Sequence, residues 1–323
     1  MRLAAGVDIG GTDTKLGIVR EDGVLMEHWK IPTDRSDGGN HILEAAVREL
    51  KAWEARTGGS IDCVGLGIPG PVNRDGWVNA CVDLGWRAFE PEKSFKALWD
   101  LPVRAGNDAN MAALGEAWQG AGRGADSMMM ITLGTGVGGS VIIHGKVIVG
   151  RNGLAGEIGH IQVNPEETEK CNCGQTGCLD QIASAGGFVR EARRRMQAGQ
   201  KSVLSGIEKL SSKDVFEAAA NGDELSRETI ERCCTFLGMA LARAGLLLDP
   251  DLYVLGGGVT AAGSMLLDPV TRAYEKYSVL ASKKAKVCIA ELGNKAGMLG
   301  AARYVLQKMN GQIEGYCSRP ARY

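Results

Sequence analysis

LAAGVDIGGTDTK, residues 3–15, runs an apolar strand, Leu3–Ile9, into the turn Gly10-Gly11-Thr12 and out again into extended chain at Lys15–Val19. A glycine pair beside a threonine lets backbone N–H groups and a hydroxyl close on a phosphate. The pattern returns at residues 128–143, with strand Met128–Leu133, turn Gly134-Thr135-Gly136 and strand Gly138–Ile143. No helix follows either turn immediately, as the dinucleotide fingerprint requires, and no Gly-Lys-Ser/Thr closes either as a Walker loop would. One such hairpin is often only a turn. Two of them opening two similar halves, with Gly256-Gly257-Gly258 after a late strand, predict a nucleotide clamped between two α/β domains.

Working outward, Val24–Trp29 reads as a third strand, joined through the turn Glu21-Asp22-Gly23. Ile42–Arg56 carries apolar residues at helical spacing, Cys63–Ile68 is a buried strand, and Val103–Ala105 a short one before a helix at Asn110–Trp118. In the second half, Lys146–Val149 completes a three-strand run. Helices are expected from Leu179 to Met196, over Ser211–Ala220 and over Leu225–Leu248, strands over Leu252–Leu255 and Val287–Ala290, and a closing helix over Ala296–Gln307. The run REARRR, residues 190–195, reads as a solvated face.

A chain of 323 residues with 44% apolar content can bury a real core and divides into two domains. The net charge of −1 offers no footprint for nucleic acid or a membrane surface. No apolar run approaches the roughly 20 residues that span a bilayer, and the start lacks a signal peptide's apolar core, so a cytoplasmic protein is expected. Nine cysteines suit a reducing compartment.

Three of those cysteines fall in GEIGHIQVNPEETEKCNCGQTGCLD, residues 156–180. His160 with Cys171, Cys173 and Cys178 is a complete tetrahedral zinc set, and four protein ligands make a structural rather than catalytic metal. Glu157 and Asp180 flank these ligands, either as incidental acids or as a polar-ligand site whose geometry the metal fixes. Asp8 ends the first strand at the phosphate turn, where a carboxylate suits Mg²⁺, although a turn-forming aspartate reads the same way. Asp108 stands at a strand–helix junction and is either the helix N-cap or a general base for a hydroxyl attacking phosphorus.

Together DIGGTDTK (8–15), GIPGPV (67–72), LGW (84–86), NDAN (107–110), TLGTGVGG (132–139), GEIGH (156–160), CNCGQTGCLD (171–180) and LGGGV (255–259) resemble the ROK family of sugar kinases, in particular its bacterial glucokinases. The resemblance covers nearly the whole chain. It implies the actin-like ATPase (ribonuclease H-like) fold, with two α/β domains, a nucleotide cleft between them and a zinc knuckle at 156–180. The last helix would fold back, giving domains 1–118 plus 296–323 and 119–295. Asp108 would be the catalytic base. Asn107, Glu157, His160, Asp180 and Asp83 would bind the sugar, His160 with one ring nitrogen on zinc and the other facing the sugar. Gly10, Gly11, Thr12, Lys15, Thr135 and Gly136 would line the phosphates with Asp8, and Gly257 and Ala185–Phe188 would lie near the adenosine. ATP, Mg²⁺ and a structural Zn²⁺ are the cofactors implied. The reaction is transfer of the γ-phosphoryl group to a hexose, glucose first, in a glycolytic homodimer or higher homo-oligomer. Two positions depart from the family pattern: Asp83 replaces the usual Asn before LGW, and Asp180 the usual Glu. Both fall on the implied sugar site and bear on which sugar is taken rather than on the reaction. Another hexose or N-acetylmannosamine is the alternative substrate. A ROK transcriptional regulator lacking its DNA-binding domain is the remote one, since the first phosphate motif starts at Asp8. Loss of zinc is expected to weaken sugar binding more than ATP binding, because the glycine turns lie elsewhere in sequence.

Overall fold

The computed structural model describes residues 1–73, 75–81 and 84–311. In chain order its elements are β1 (Leu3–Ile9), β2 (Asp13–Arg20), β3 (Leu25–Pro32), α1 (Ile42–Thr57), β4 (Cys63–Ile68), β5 (Val78–Cys81), β6 (Trp86–Phe89), α2 (Pro91–Leu98), β7 (Val103–Asn107) and α3 (Asp108–Gln119). Then come β8 (Ser127–Leu133), β9 (Val137–Ile143), β10 (Lys146–Val147), α4 (Asp180–Ala183), α5 (Ala185–Gln197), α6 (Ser212–Ala220), α7 (Glu224–Leu248), β11 (Leu252–Gly256), α8 (Ser264–Tyr277), β12 (Lys286–Ile289) and α9 (Ala296–Met309). Two five-stranded sheets carry the chain, ordered β3-β2-β1-β4-β7 and β10-β9-β8-β11-β12. The two orders are the same, so the repeated strand–turn–strand signal in the sequence marks a repeated sheet.

By packing, the chain divides into one unit of residues 1–124, 141–155 and 292–323 and another of 125–140 and 156–291. Residues 141–155, expected with the second domain, group with the first. There β10 packs against α3, and Gln307 Nε2 of α9 donates to Gly145 O at 2.6 Å.

In the first unit, β1 is antiparallel to β2 and parallel to β4, which is parallel to β7. Its alternate residues Ala5, Val7 and Ile9 share a core with the apolar stripe of α1, namely Ile42, Leu43, Ala46, Val47, Leu50 and Trp53. That helix stops at Gly58, whose left-handed φ of 72° suits a C-terminal cap. The opposite face of β1, β2 and β4, with Ala4, Val19 and Cys63, is covered by Leu299, Ala302, Val305 and Leu306 of α9. Backbones touch there, since a Cβ on Gly6 would lie 1.8 Å from Met298 O.

In the second unit β8, β11 and β12 are parallel, and α7 packs on α8 and α5. The helix expected from Leu179 to Met196 is two helices, because Ser184 has extended backbone and its side chain accepts from Gly187 N to cap α5. No helix among the described residues is long and apolar enough to cross a membrane.

Candidate active site

The first unit brings Asp8, the Gly10–Thr12 turn, Lys15, Asn107 and Asp108 to one end of its parallel strands. The turn is buttressed by Thr33, whose Oγ1 donates to Gly10 O at 2.7 Å and whose N–H donates to Thr12 O at 2.9 Å. Lys15 Nζ donates to Asp8 Oδ2 at 3.2 Å, so the charge of the lysine is already paired with a carboxylate.

Where β7 passes into α3, the structure distinguishes the two readings of Asp108. The N-cap is Asn107, whose Oδ1 accepts from Asn110 N at 3.0 Å. Its Nδ2 donates to Gly70 O and to Asp108 Oδ1, both at 3.0 Å, so both amide hydrogens are committed within the protein. Asp108 Oδ1 also accepts from Ala109 N at 2.8 Å. Burial pushes the Asp108 carboxyl up to about 6, the Ala109 N–H partly offsets this, and the negative charge of Asp8 adds to the rise. A half-buried carboxylate with its proton affinity raised towards neutrality, and not used as a cap, is suited to accept a proton from a hydroxyl.

The second unit holds its own set. Between β8 and β9, Gly134 N donates to Gly136 O at 2.9 Å, and Thr135 is exposed at the apex. The end of β11 lies against the base of this turn: Gly257, at φ 89°, would place a Cβ 2.4 Å from Leu133 O. Asp180 opens α4, and its Oδ1 accepts from Val137 N at 2.6 Å. Ala185 N donates to Gly134 O at 2.8 Å, which sets the start of the Ala185–Phe188 segment on the turn. The stretch 156–180, although distant from the glycine turn in sequence, is therefore bonded through Asp180 to Val137 at the end of that turn.

Within that stretch one ligand atom each from His160, Cys171, Cys173 and Cys178 lies within 4.8 Å of the others. Cys173 Sγ and Cys178 Sγ are 3.6 Å apart, and Cys171 Sγ is 3.8 Å from His160 Nδ1. These are thiols, because a disulfide closes to about 2.05 Å. Two Zn–S bonds of about 2.3 Å at a tetrahedral angle span about 3.8 Å, so the donor set and its spacing fit zinc. The Nδ1 side of the His160 ring faces the sulfurs, and His160 and Glu157 are exposed.

Residues 4–308 match the ROK family. The chain belongs to that family. It is 40% identical to a glucokinase from Halalkalibacterium halodurans, over 97% of this chain and 98% of the relative. It is similar to the crystal structure of a ROK family glucokinase from Streptomyces griseus in complex with glucose and AMPPNP, at 35% identity and TM-score 0.74, covering 94% of this chain and 98% of that one. The ROK hexokinase from Thermus thermophilus aligns at 29% identity and TM-score 0.84, over 96% and 99%. Two α/β sheets in two units are thus the ROK fold.

In this ROK chain one group of working residues escapes the sequence reading. Glu167, its side chain 1% exposed, is held by Arg194 through 2.6 and 2.7 Å bonds and by Arg190 at 3.3 Å, while Glu169 pairs with the same arginines. The Arg194 guanidinium, bonded to Glu167, holds that carboxyl down to about 2. The arginine run 190–195 is therefore no solvated face: it clamps the cysteine segment onto α5. A basic run on a helix paired with the run EETEK, residues 166–170, is the signal that could have found it. Asp83 lies outside the described residues.

Proposed function

We propose that this ROK protein is an ATP-dependent sugar kinase that phosphorylates glucose on O6. The observation that carries the mechanism is Asp108, a half-buried carboxylate raised to about 6 at the junction of β7 and α3, with capping left to Asn107. Asp108 takes the O6 proton as the O6–P bond forms and the bond from the γ-phosphorus to the bridging oxygen breaks, releasing ADP. One Asp108 oxygen is held by Ala109 N and Asn107 Nδ2, so the carboxylate is oriented before substrate arrives. Backbone N–H groups of Gly11, Thr12 and of Thr135–Gly136 receive the phosphates, Gly10, whose own N–H donates to Asp13 O at 3.1 Å, closes the first turn beside them, and Gly257 with Ala185–Phe188 receives the adenosine. Mg²⁺ carried with ATP neutralises phosphate charge, and Asp8, already paired with Lys15, is the carboxylate that would hold it.

Glu157, His160, Asn107 and Asp180 are assigned to the sugar. Asn107 has only a lone pair of Oδ1 left for it, and Asp180 only Oδ2. His160, Cys171, Cys173 and Cys178 would hold a structural zinc, which supplies a cross-link fixing Glu157 and His160. The shared order of the two sheets supports the actin-like ATPase class. Full-length likeness to glucokinases supports glucose as the substrate. A panel of glucose, mannose, allose and N-acetylmannosamine, assayed by coupled ADP release, tests this. Glucose should give the highest kcat/KM, and absence of sugar-dependent ADP release from all four would defeat the reading.

A further inference from the structure

Asp180 is assigned to the sugar by resemblance, yet one of its two oxygens is occupied. Oδ1 accepts the Val137 N–H at 2.6 Å, and a methyl group built on Gly136 would stand 2.8 Å from that same oxygen. At the other end of the turn, Gly134 O accepts from Ala185 N at 2.8 Å. Residues 180–185 therefore grip both shoulders of the turn, and the two residues between, Thr135 and Gly136, are those assigned to the phosphates. Asp180 is itself held. It opens α4 two residues after Cys178, and the next residue, Gln181, accepts from Cys178 N at 3.2 Å and donates to Glu169 O at 3.0 Å.

A glycine turn left free explores many backbone states, and fixing one residue costs on the order of tenfold in affinity when a ligand has to do it. A charged acceptor on a backbone N–H is a strong restraint against that freedom. Resting on the kinase reading above, we infer that Asp180 is a positioning residue for the nucleotide. Through Oδ1 it locks the phosphate turn to the cysteine segment, so that beyond the sugar contact left to Oδ2 it acts on the nucleotide through Val137 and Gly136.

The test is equilibrium binding of AMPPNP with Mg²⁺, and separately of glucose, to the full-length metal-loaded protein by titration calorimetry. Asp180→Ala removes the acceptor, so AMPPNP affinity should fall about tenfold, the scale of one charge-assisted hydrogen bond, whatever loss of the Oδ2 contact does to glucose affinity. Asp180→Asn keeps a carbonyl oxygen for Val137 N–H and should hold AMPPNP within about threefold of wild type. Loss of glucose affinity in both variants with AMPPNP unchanged would overturn the inference and leave Asp180 to the sugar alone. Gly136→Ala leaves Asp180 in place but sets a methyl group against Oδ1. It should weaken AMPPNP binding several-fold in the wild-type background and add little in Asp180→Ala, where the obstacle is gone; fully additive losses would count against the link. If Asp180→Ala does not fold, Gly136→Ala decides by itself, unchanged AMPPNP affinity being the contrary result. Wild-type protein that binds no AMPPNP would overturn the kinase reading, and this inference with it.

Discussion

Replacing Asp108 by Asn should make the protein more stable and nearly inactive. The ionised native state holds this carboxyl at about 6 rather than near 3.8, chiefly through burial, at a cost of roughly 3 kcal/mol. The sign follows from proton counting. Between about pH 4 and pH 6 the folded chain binds more protons at this site than the unfolded chain, so stability falls as pH rises through that window and stays low above it. Asparagine carries no charge to desolvate or to repel Asp8, and its Oδ1 can still accept from Ala109 N and Asn107 Nδ2. The variant should therefore be about 1–3 kcal/mol more stable than wild type at pH 8, or about 2–4 °C in Tm, with the difference shrinking towards zero near pH 4. Activity should fall about 10²–10⁴-fold in kcat with AMPPNP affinity retained. In the wild type, kcat/KM should decline as pH drops through about 6. The assays are melting temperature across pH, by circular dichroism, and steady-state kinetics on the same samples. A variant that is less stable at pH 8, or one with near wild-type kcat, would refute the reasoning.

The cysteine cluster should hold about one zinc per chain, and Cys173→Ser should lose it with a fall in both nucleotide and glucose affinity, since Asp180 and Ala185 bond the glycine turn. Elemental analysis finding no metal in unchelated protein would be the contrary result. Glu167→Gln removes one partner of a buried charge cluster and should cost about 3 kcal/mol, measurable by urea unfolding, and should lower zinc retention; an unchanged midpoint would count against the clamp. Because Glu167 is held down to about 2, that stabilisation is full above about pH 4.5 and is lost as pH falls towards 2. Gly257→Ala should destabilise by about 2 kcal/mol or more and impair nucleotide binding, as its Cβ meets Leu133 backbone at a positive φ. Wild-type stability and AMPPNP affinity would show the turn to be more yielding.

Hydrophobic period and glycine turns made the two sheets and most element boundaries legible, because strands such as Leu3–Ile9 and Cys63–Ile68 coincide with uninterrupted apolar runs. What could not be read locally was decided by partners distant in sequence. Asn107 and Asp108 are equally good caps by residue type, and only the bond from Asn110 N to Asn107 Oδ1 separates them. Arg190 and Arg194 look solvated until Glu167 is seen against them. Helix α8 contains Pro269, which by residue type predicts a break rather than a helix interior. The break at Ser184 is hidden for the opposite reason, since apolar spacing carries through a residue whose hydroxyl starts a new helix.

The covering of β1, β2 and β4 by α9 has a consequence for biogenesis. The apolar face carrying Ala4, Val19 and Cys63 emerges from the ribosome early, and its lid, Leu299 to Leu306, about 180 residues after α3 ends. At roughly 5–20 residues per second, that face stays uncovered for about 10–40 s on every nascent chain. The first unit is therefore a folding intermediate by necessity during synthesis, and a chaperone that shields apolar strands has its longest opportunity there. A nonsense mutation anywhere before Leu299 should yield a chain that is aggregated or degraded, however complete its phosphate turns and cysteine cluster.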